Sequence, residues 1–199
     1  MKLKRILSLA LSGVLAISML TACGGGSSIS KLLSDRTATV RSALNSTQQV
    51  LSYKSNDSKL SDAVSKVAET ITPDQVTNGV ASSSVATTVQ QLTGYGDLYL
   101  KDGDPWKAAT EVGSKTYVKV FVYNVKNEAY DSTAEVASDL AKKLEVMKLT
   151  DKAATEGDKV TNSYAGSVAA YEKTIGKDDN AVTVWVIGVA VTQTVNATT

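Results

Sequence analysis

Apolar and small residues recur along the first half of the chain at helical spacing. Leu33, Thr37, Val40, Leu44, Thr47 and Leu51 follow one another at intervals of four and three, which predicts a helix from Ser30 to about Tyr53. Two of those six are threonines, so its apolar seam is weak. Lys54 to Ser58, with Asn56 and Asp57, reads as a turn. Leu60, Val64, Val67, Ala68 and Ile71 then share one face of a second helix, with Asp62 and Lys66 as an exposed i,i+4 pair. Thr72-Pro73-Asp74-Gln75 combines an N-cap, a proline at the first helical position and a residue able to close a capping box. It predicts a third helix starting at Pro73, broken at Gly79 and resumed through Val85, Val89 and Leu92.

The period then changes to two. From Thr116 to Val125, Val118, Val120 and Val122 alternate with Tyr117, Phe121 and Tyr123, so both faces are apolar and the strand is central. Ala181 to Gln193 behaves in the same way. Between them Ser132 and Glu135 form a capping box for a helix with inner face Val136, Leu140, Leu144 and Met147. Tyr164 to Tyr171 is a third strand, joined to the last one by the turn Gly176 to Asn180, and a short strand is expected around Leu98 to Lys101. The class is α+β: N-terminal helices followed by a small, mostly antiparallel sheet flanked by helices. Residues 30–199 are read as one domain, helical over 30–93 and sheet-bearing over 94–199. Composition supports the division, since 21 of the 64 residues from Ser30 to Thr93 are Ser or Thr and Tyr53 is their only aromatic.

Residues 1–22 have a different character. A basic Met-Lys-Leu-Lys-Arg start precedes the apolar run Ile6 to Leu20, whose 15 residues are fewer than the roughly 20 a membrane-spanning helix needs. That is the organisation of a secretory signal peptide. At its exit Leu20-Thr21-Ala22-Cys23 resembles the lipobox of bacterial lipoproteins. The resemblance implies cleavage after Ala22, a diacylglyceryl thioether on Cys23, and a mature protein held on the extracytoplasmic face of the cell membrane. Residues 23–29, with Gly24 to Ser28, then form a flexible spacer. Cys23 is the only cysteine, so the body is stabilised by an ordinary core rather than by disulfides.

Charge and composition exclude several chemistries. Without residues 1–22 the chain carries 18 basic and 20 acidic groups, a net charge of −2 that gives no reason to expect a nucleic-acid partner. There is no His, which removes imidazole-dependent catalysis and His-ligated zinc. Gly176-Lys177-Asp178 lacks the rest of a phosphate-binding loop. The Ser-x-x-Lys spacing, which could activate a serine, falls only at Ser28 to Lys31 beside the spacer. The N-x-[ST] matches at Asn45, Asn56 and Asn196 carry little meaning on a bacterial lipoprotein.

The densest polar and aromatic cluster runs from Tyr95 to Trp106. Asp97, Tyr99, Asp102, Asp104 and Trp106 are the candidate ligand-binding residues, because rings beside carboxylates suit a sugar or peptide groove. The acids lack the spacing and terminal Glu of a calcium loop, and Asp-Gly-Asp-Pro is first of all a turn sequence. No metal, cofactor or catalytic residue is assigned.

The body also resembles the bacterial SCP-like domains of the cysteine-rich secretory and pathogenesis-related superfamily. The segment around Asn45, Asp57, Leu60, Val64 and Ala68 is similar to their first helices, the helix after Ser132 to a later one, and Val184 to Gly188 to a closing strand. The family's cleft histidines are absent, so no functional position carries over, and the resemblance implies loss of the metal-dependent cleft. The function expected is therefore a lipid-anchored binding or interaction module with an envelope protein or polysaccharide as partner. Two alternatives stand beside it: a carboxylate-dependent hydrolase of envelope polymers, and a purely structural envelope protein.

Overall fold

Two stripes of apolar side chains, one on each face of a sheet, organise the fold. A computed structural model describes residues 33–47, 50–98, 112–125, 129–147, 149, 160–176 and 181–197. The segments expected to be a signal peptide and spacer, with Cys23, and residues 177–180 of the expected turn lie outside the described residues. The fold class is α+β, with helices and a mixed sheet.

The sheet is built on three long strands, β6 (Gly113–Asn124), β7 (Val160–Ile175) and β8 (Val182–Ala197). β8 lies in the middle and pairs antiparallel with both neighbours, so that its Val191 faces Tyr117 on one side and Gly166 on the other. The apolar positions on both faces of β6 and β8 follow from that central place. Short strands complete the edges. β1 (Leu33–Asp35) runs antiparallel and β2 (Tyr53–Lys54) parallel to β7, while β5 (Gly96–Asp97) runs parallel to β6. The predominance of antiparallel pairing expected from the sequence thus holds for the long ladders and β1, while β2 and β5 pair parallel.

Side-chain alternation along each strand assigns the faces. On one face Phe121, Tyr123, Val168, Ala170, Ile187 and Val189 pack under α1 (Thr37–Thr47) and α4 (Thr133–Leu144), whose Val40, Leu44, Val136, Leu140 and Leu144 are buried. On the other face Val118, Val120, Val122, Val184, Val186 and Ala190 pack under α2 (Ser58–Thr70) and α3 (Ser83–Thr93) through Leu60, Val64, Val67, Val85 and Val89. Local signals set the helix ends. Asp57 accepts the Leu60 amide at 3.0 Å, Ser82 accepts that of Val85, and Ser132 with Glu135 closes the expected capping box. Gly94 ends α3 in the left-handed region, φ 73°, where a glycine carries no Cβ penalty.

Several sequence expectations are corrected. The segment expected to begin a helix at Ser30 instead contains β1 at Leu33–Asp35, and α1 starts at Thr37. Thr37 explains why a threonine sits in the seam, because its hydroxyl accepts the Ala170 amide at 3.0 Å and so satisfies the β7 edge between β1 and β2. Lys54 belongs to β2 rather than to a turn; the Asn45 amide bonds both the N–H and the C=O of Tyr53, standing in for a neighbouring strand. The capping box at Thr72 closes only a 3-10 turn, Pro73–Gln75, and a small hairpin of β3 (Val76–Thr77) and β4 (Val80–Ala81) follows before α3. Backbone pairing with β6 competes successfully with helix there, since the Gly79 amide donates to the Val122 carbonyl at 2.8 Å. Finally, a short strand stands at Gly96–Asp97, while of the strand expected around Leu98 to Lys101 all but Leu98 lies outside the described residues, and Leu92 is 45% exposed on α3 rather than in its buried seam.

Candidate functional site

The end of α3, β5 and the start of β6 meet at an open groove of about 510 Å³. Its walls are Lys59 at the start of α2, residues 93–96, and residues 114–117. Two local features keep it open. Gly94 turns the chain through positive φ, and a Cβ there would project into space with nothing within 4 Å. Gly96 makes room for the Tyr117 ring, because a Cβ on it would lie 3.0 Å from that ring. Tyr95 and Tyr117, Ser114 and Thr116, and Lys59 and Lys115 are thus among its lining residues, whereas the Thr93 hydroxyl is buried and bonded to the Val89 carbonyl at 2.8 Å. Both lysines are exposed, and among the described residues neither forms an ion pair.

The polar end of Tyr95 is committed elsewhere. Its hydroxyl donates to both carboxylate oxygens of Asp57 at 3.0 Å, linking the groove wall to the N-cap of α2. Burial, and then the Asp57 carboxylate beside it, push the phenol up from 10.0 to about 12, so it is neutral at physiological pH and presents only its ring to the groove. The sign of the linked stability follows. A pKa raised in the folded state stabilises the fold below the unfolded value of 10.0, and that contribution is lost as pH rises through about 12. The buried phenols of Tyr53 and Tyr123 are shifted in the same direction, by desolvation above all. Thermal midpoints measured against pH should therefore be flat from about pH 7 to 9 and fall above about pH 10. Tyr95→Phe should make the alkaline fall shallower, and an unchanged profile would show that the Asp57 bond does not form.

Of the residues singled out from sequence, Asp97 alone is described. It sits one residue past the groove wall, but its carboxylate is engaged by Lys119 Nζ at 3.3 Å and by Gln90 Nε2 at 3.2 Å, tying α3 to β6. Asp97 thus braces the site through Oδ1. Tyr99, Asp102, Asp104, Trp106 and Cys23 lie outside the described residues. Sequence reasoning reached Tyr95 and Gly96 as members of the polar cluster but missed Lys59 and Lys115. Each of these reads locally as an ordinary exposed residue, and only tertiary packing brings them to one rim.

A second constellation lies under α4. Asp139 accepts from the Tyr123 hydroxyl at 2.9 Å and from Lys143, and the Tyr130 ring meets the Tyr123 ring edge-on at 5.1 Å. Gly79 closes over it so tightly that a Cβ there would collide with Asp139 and Lys143. This network fixes α4 and the β3–β4 hairpin against β6 and leaves no space for a reacting group. Among the described residues no three or more Asp, Glu, Cys or His side chains gather to hold a metal ion. Comparison with family models, with characterised proteins and with solved structures gives no match to this chain.

Proposed function

We propose that this chain is a lipid-anchored, extracytoplasmic binding module whose ligand occupies the groove between α3, β5 and β6. The observation that carries the binding reading is the groove itself: an open recess lined by two tyrosines, by lysines that pair with no carboxylate among the described residues, and by glycines. The anchor rests on Leu20-Thr21-Ala22-Cys23 and the spacer after it. At about 0.8 kcal/mol per buried CH₂, two or more acyl chains on Cys23 hold the protein to the membrane durably. Among the described residues no helix is long and apolar enough to cross a membrane.

The same proposal covers the architecture. Residues 30–199 form one domain, a helical part over 30–93 leading into a sheet-bearing part, of the SCP-like kind without its histidines. The helices on both faces of the sheet support it, as do the buried Leu60, Val64 and Ala68 after the Asp57 cap and the place of Val184 to Gly188 within β8.

Two measurements test the reading. Cys23→Ala should abolish incorporation of a labelled fatty acid and shift the protein out of the membrane fraction; retention with unchanged labelling would refute the anchor. For the groove, full-length protein carrying photoreactive benzoylphenylalanine at Ser114 should form adducts with envelope material in cells, whereas the same group at Glu145, just past α4, should not. Equal labelling from both positions, or none from Ser114, would refute the groove as the ligand site.

A further inference from the structure

We infer that the groove and the sheet surface beside it bind an anionic glycan, a polyhydroxylated chain carrying carboxylate or phosphate groups. The inference rests on the binding reading above and names the ligand class. It starts from a change of residue type along two strands. On the face packed under α2 and α3, β6 runs Val122, Val120, Val118 and then Thr116, Ser114, while β8 runs Val186, Gly188, Ala190 and then Thr192, Thr194. The register sets Thr116 opposite Thr192 and Ser114 opposite Thr194, and Ser163 of β7 stands opposite Thr194 on the far side. Where helical cover ends, the same face continues as hydroxyls, all of them half-buried or exposed.

These hydroxyls are paired. Ser114 and Thr194 meet at 3.0 Å and Thr116 and Thr192 at 2.8 Å. In each pair one hydroxyl donates and the other accepts, so the acceptor's own hydrogen and the remaining lone pairs are left for a ligand. Each rung is therefore both donor and acceptor and already held in place by its neighbour. That matches sugar hydroxyls, which are likewise both, and lowers the ordering cost of binding. Ser114 and Thr116 also form one wall of the groove, whose lining Lys59 and Lys115 share.

The lysines define the charge. No carboxylate is among the groove's lining residues; Asp57 is turned to the Tyr95 hydroxyl and the Leu60 amide, and Asp97 is ion-paired with Lys119. The chain without residues 1–22 is net negative, so attraction of a polyanion has to be local to this rim. Two cations lining the same groove as Ser114 and Thr116 suit a polymer whose charges are interspersed with hydroxyls rather than continuous.

The test titrates detergent-solubilised full-length protein with three defined probes: oligogalacturonate, which has both hydroxyls and carboxylates, dextran, which has hydroxyls alone, and polyphosphate, which has charge alone. Oligogalacturonate should bind at least about tenfold tighter than either of the others, and its binding should weaken in high salt. Lys59→Gln with Lys115→Gln should lower its affinity about tenfold or more. Thr192→Val with Thr194→Val should lower it about threefold or more while leaving polyphosphate binding unchanged. Unaltered thermal midpoints in both double variants would establish that they fold. Equal binding of dextran with no effect of the lysine variant would overturn the charge assignment, and equal binding of polyphosphate would overturn the glycan assignment. Lysine-dependent binding to phosphatidylglycerol vesicles without oligogalacturonate binding would assign the rim to a lipid surface and overturn both. Each of these failures leaves Ser114-specific photolabelling intact, whereas failure of the binding reading removes that labelling.

Discussion

Gly188→Val is expected to destabilise the fold by about 3 kcal/mol or to prevent folding altogether. Gly188 lies in the middle of β8, directly beneath α2. A Cβ built there would stand 2.5 Å from a Val64 methyl carbon, below the closest approach that real Cβ atoms make, and 3.0 Å from Leu60 Cδ1, a tight contact. Both contacted side chains are completely buried and belong to the seam by which α2 seats on the sheet, so neither can swing into solvent. Accommodating valine requires α2 to lift, which opens Val67, Ala68 and Ile71 to water as well. Urea denaturation of the variants checks this. Gly188→Ala should fall between wild type and valine, and Val64→Ala in the alanine background should cost less than Val64→Ala alone, because the two changes relieve one clash. A valine variant within about 0.5 kcal/mol of wild type would mean that α2 does not rest on β8 at this point.

Glu172→Ala is expected to cost about 2 to 3 kcal/mol, because three elements converge on one carboxylate. Arg36, between β1 and α1, donates from Nε at 3.0 Å and from Nη2 at 2.9 Å, and the Trp185 indole of β8 donates at 2.7 Å. The site is partly screened, with side-chain exposures of 36% for Arg36 and 19% for Glu172, which places the effect below that of a fully buried pair. Alanine leaves the indole N–H, on a residue only 5% exposed, without its acceptor, and that loss dominates. Glu172→Gln keeps an acceptor and should lose about half as much. The changes are read by denaturant titration, with Trp185→Phe in a double-mutant cycle to isolate the indole bond. A coupling energy near zero would remove the carboxylate from its place as the tie between β1, β7 and β8.

Much of the buried surface is legible in the amino-acid pattern alone. Val136, Leu140, Leu144 and Met147 all lie in the core as their spacing requires, and Ser132 with Glu135 caps that helix as the short motif predicts. Leu60, Val64, Val67, Ala68 and Ile71 are buried to the last residue. These readings work because helix periodicity and capping are decided within a few residues of chain. The alternation of β6 and β8 is legible for the same reason, although each strand runs beyond its apolar stretch into the hydroxyl segment, which carries no burial signal.

What the pattern misses is whatever a distant partner decides. β1 has three residues, and nothing in Leu33-Ser34-Asp35 marks it as a strand apart from pairing with Lys173, Glu172 and Tyr171. The hairpin after Pro73 displaces a well-signalled helix because Asn78 and Gly79 bond the end of β6. The groove belongs to the same class. Lys59 opens a helix and Lys115 lies in the exposed start of a strand, and each alone reads as a solvated charge.

By itself, then, the sequence determined the helical seams, the central strands, the caps and the expectation of a lipid-bearing Cys23, because each is encoded by neighbours along the chain. Tertiary structure alone decided the edge strands, the bracing of Asp97, the tie at Glu172 and the meeting of Lys59 with Lys115 beside a ladder of hydroxyls. Those features depend on the register of β6 against β8 and the seat of α2 on Gly188, contacts between residues far apart in sequence that no local pattern specifies.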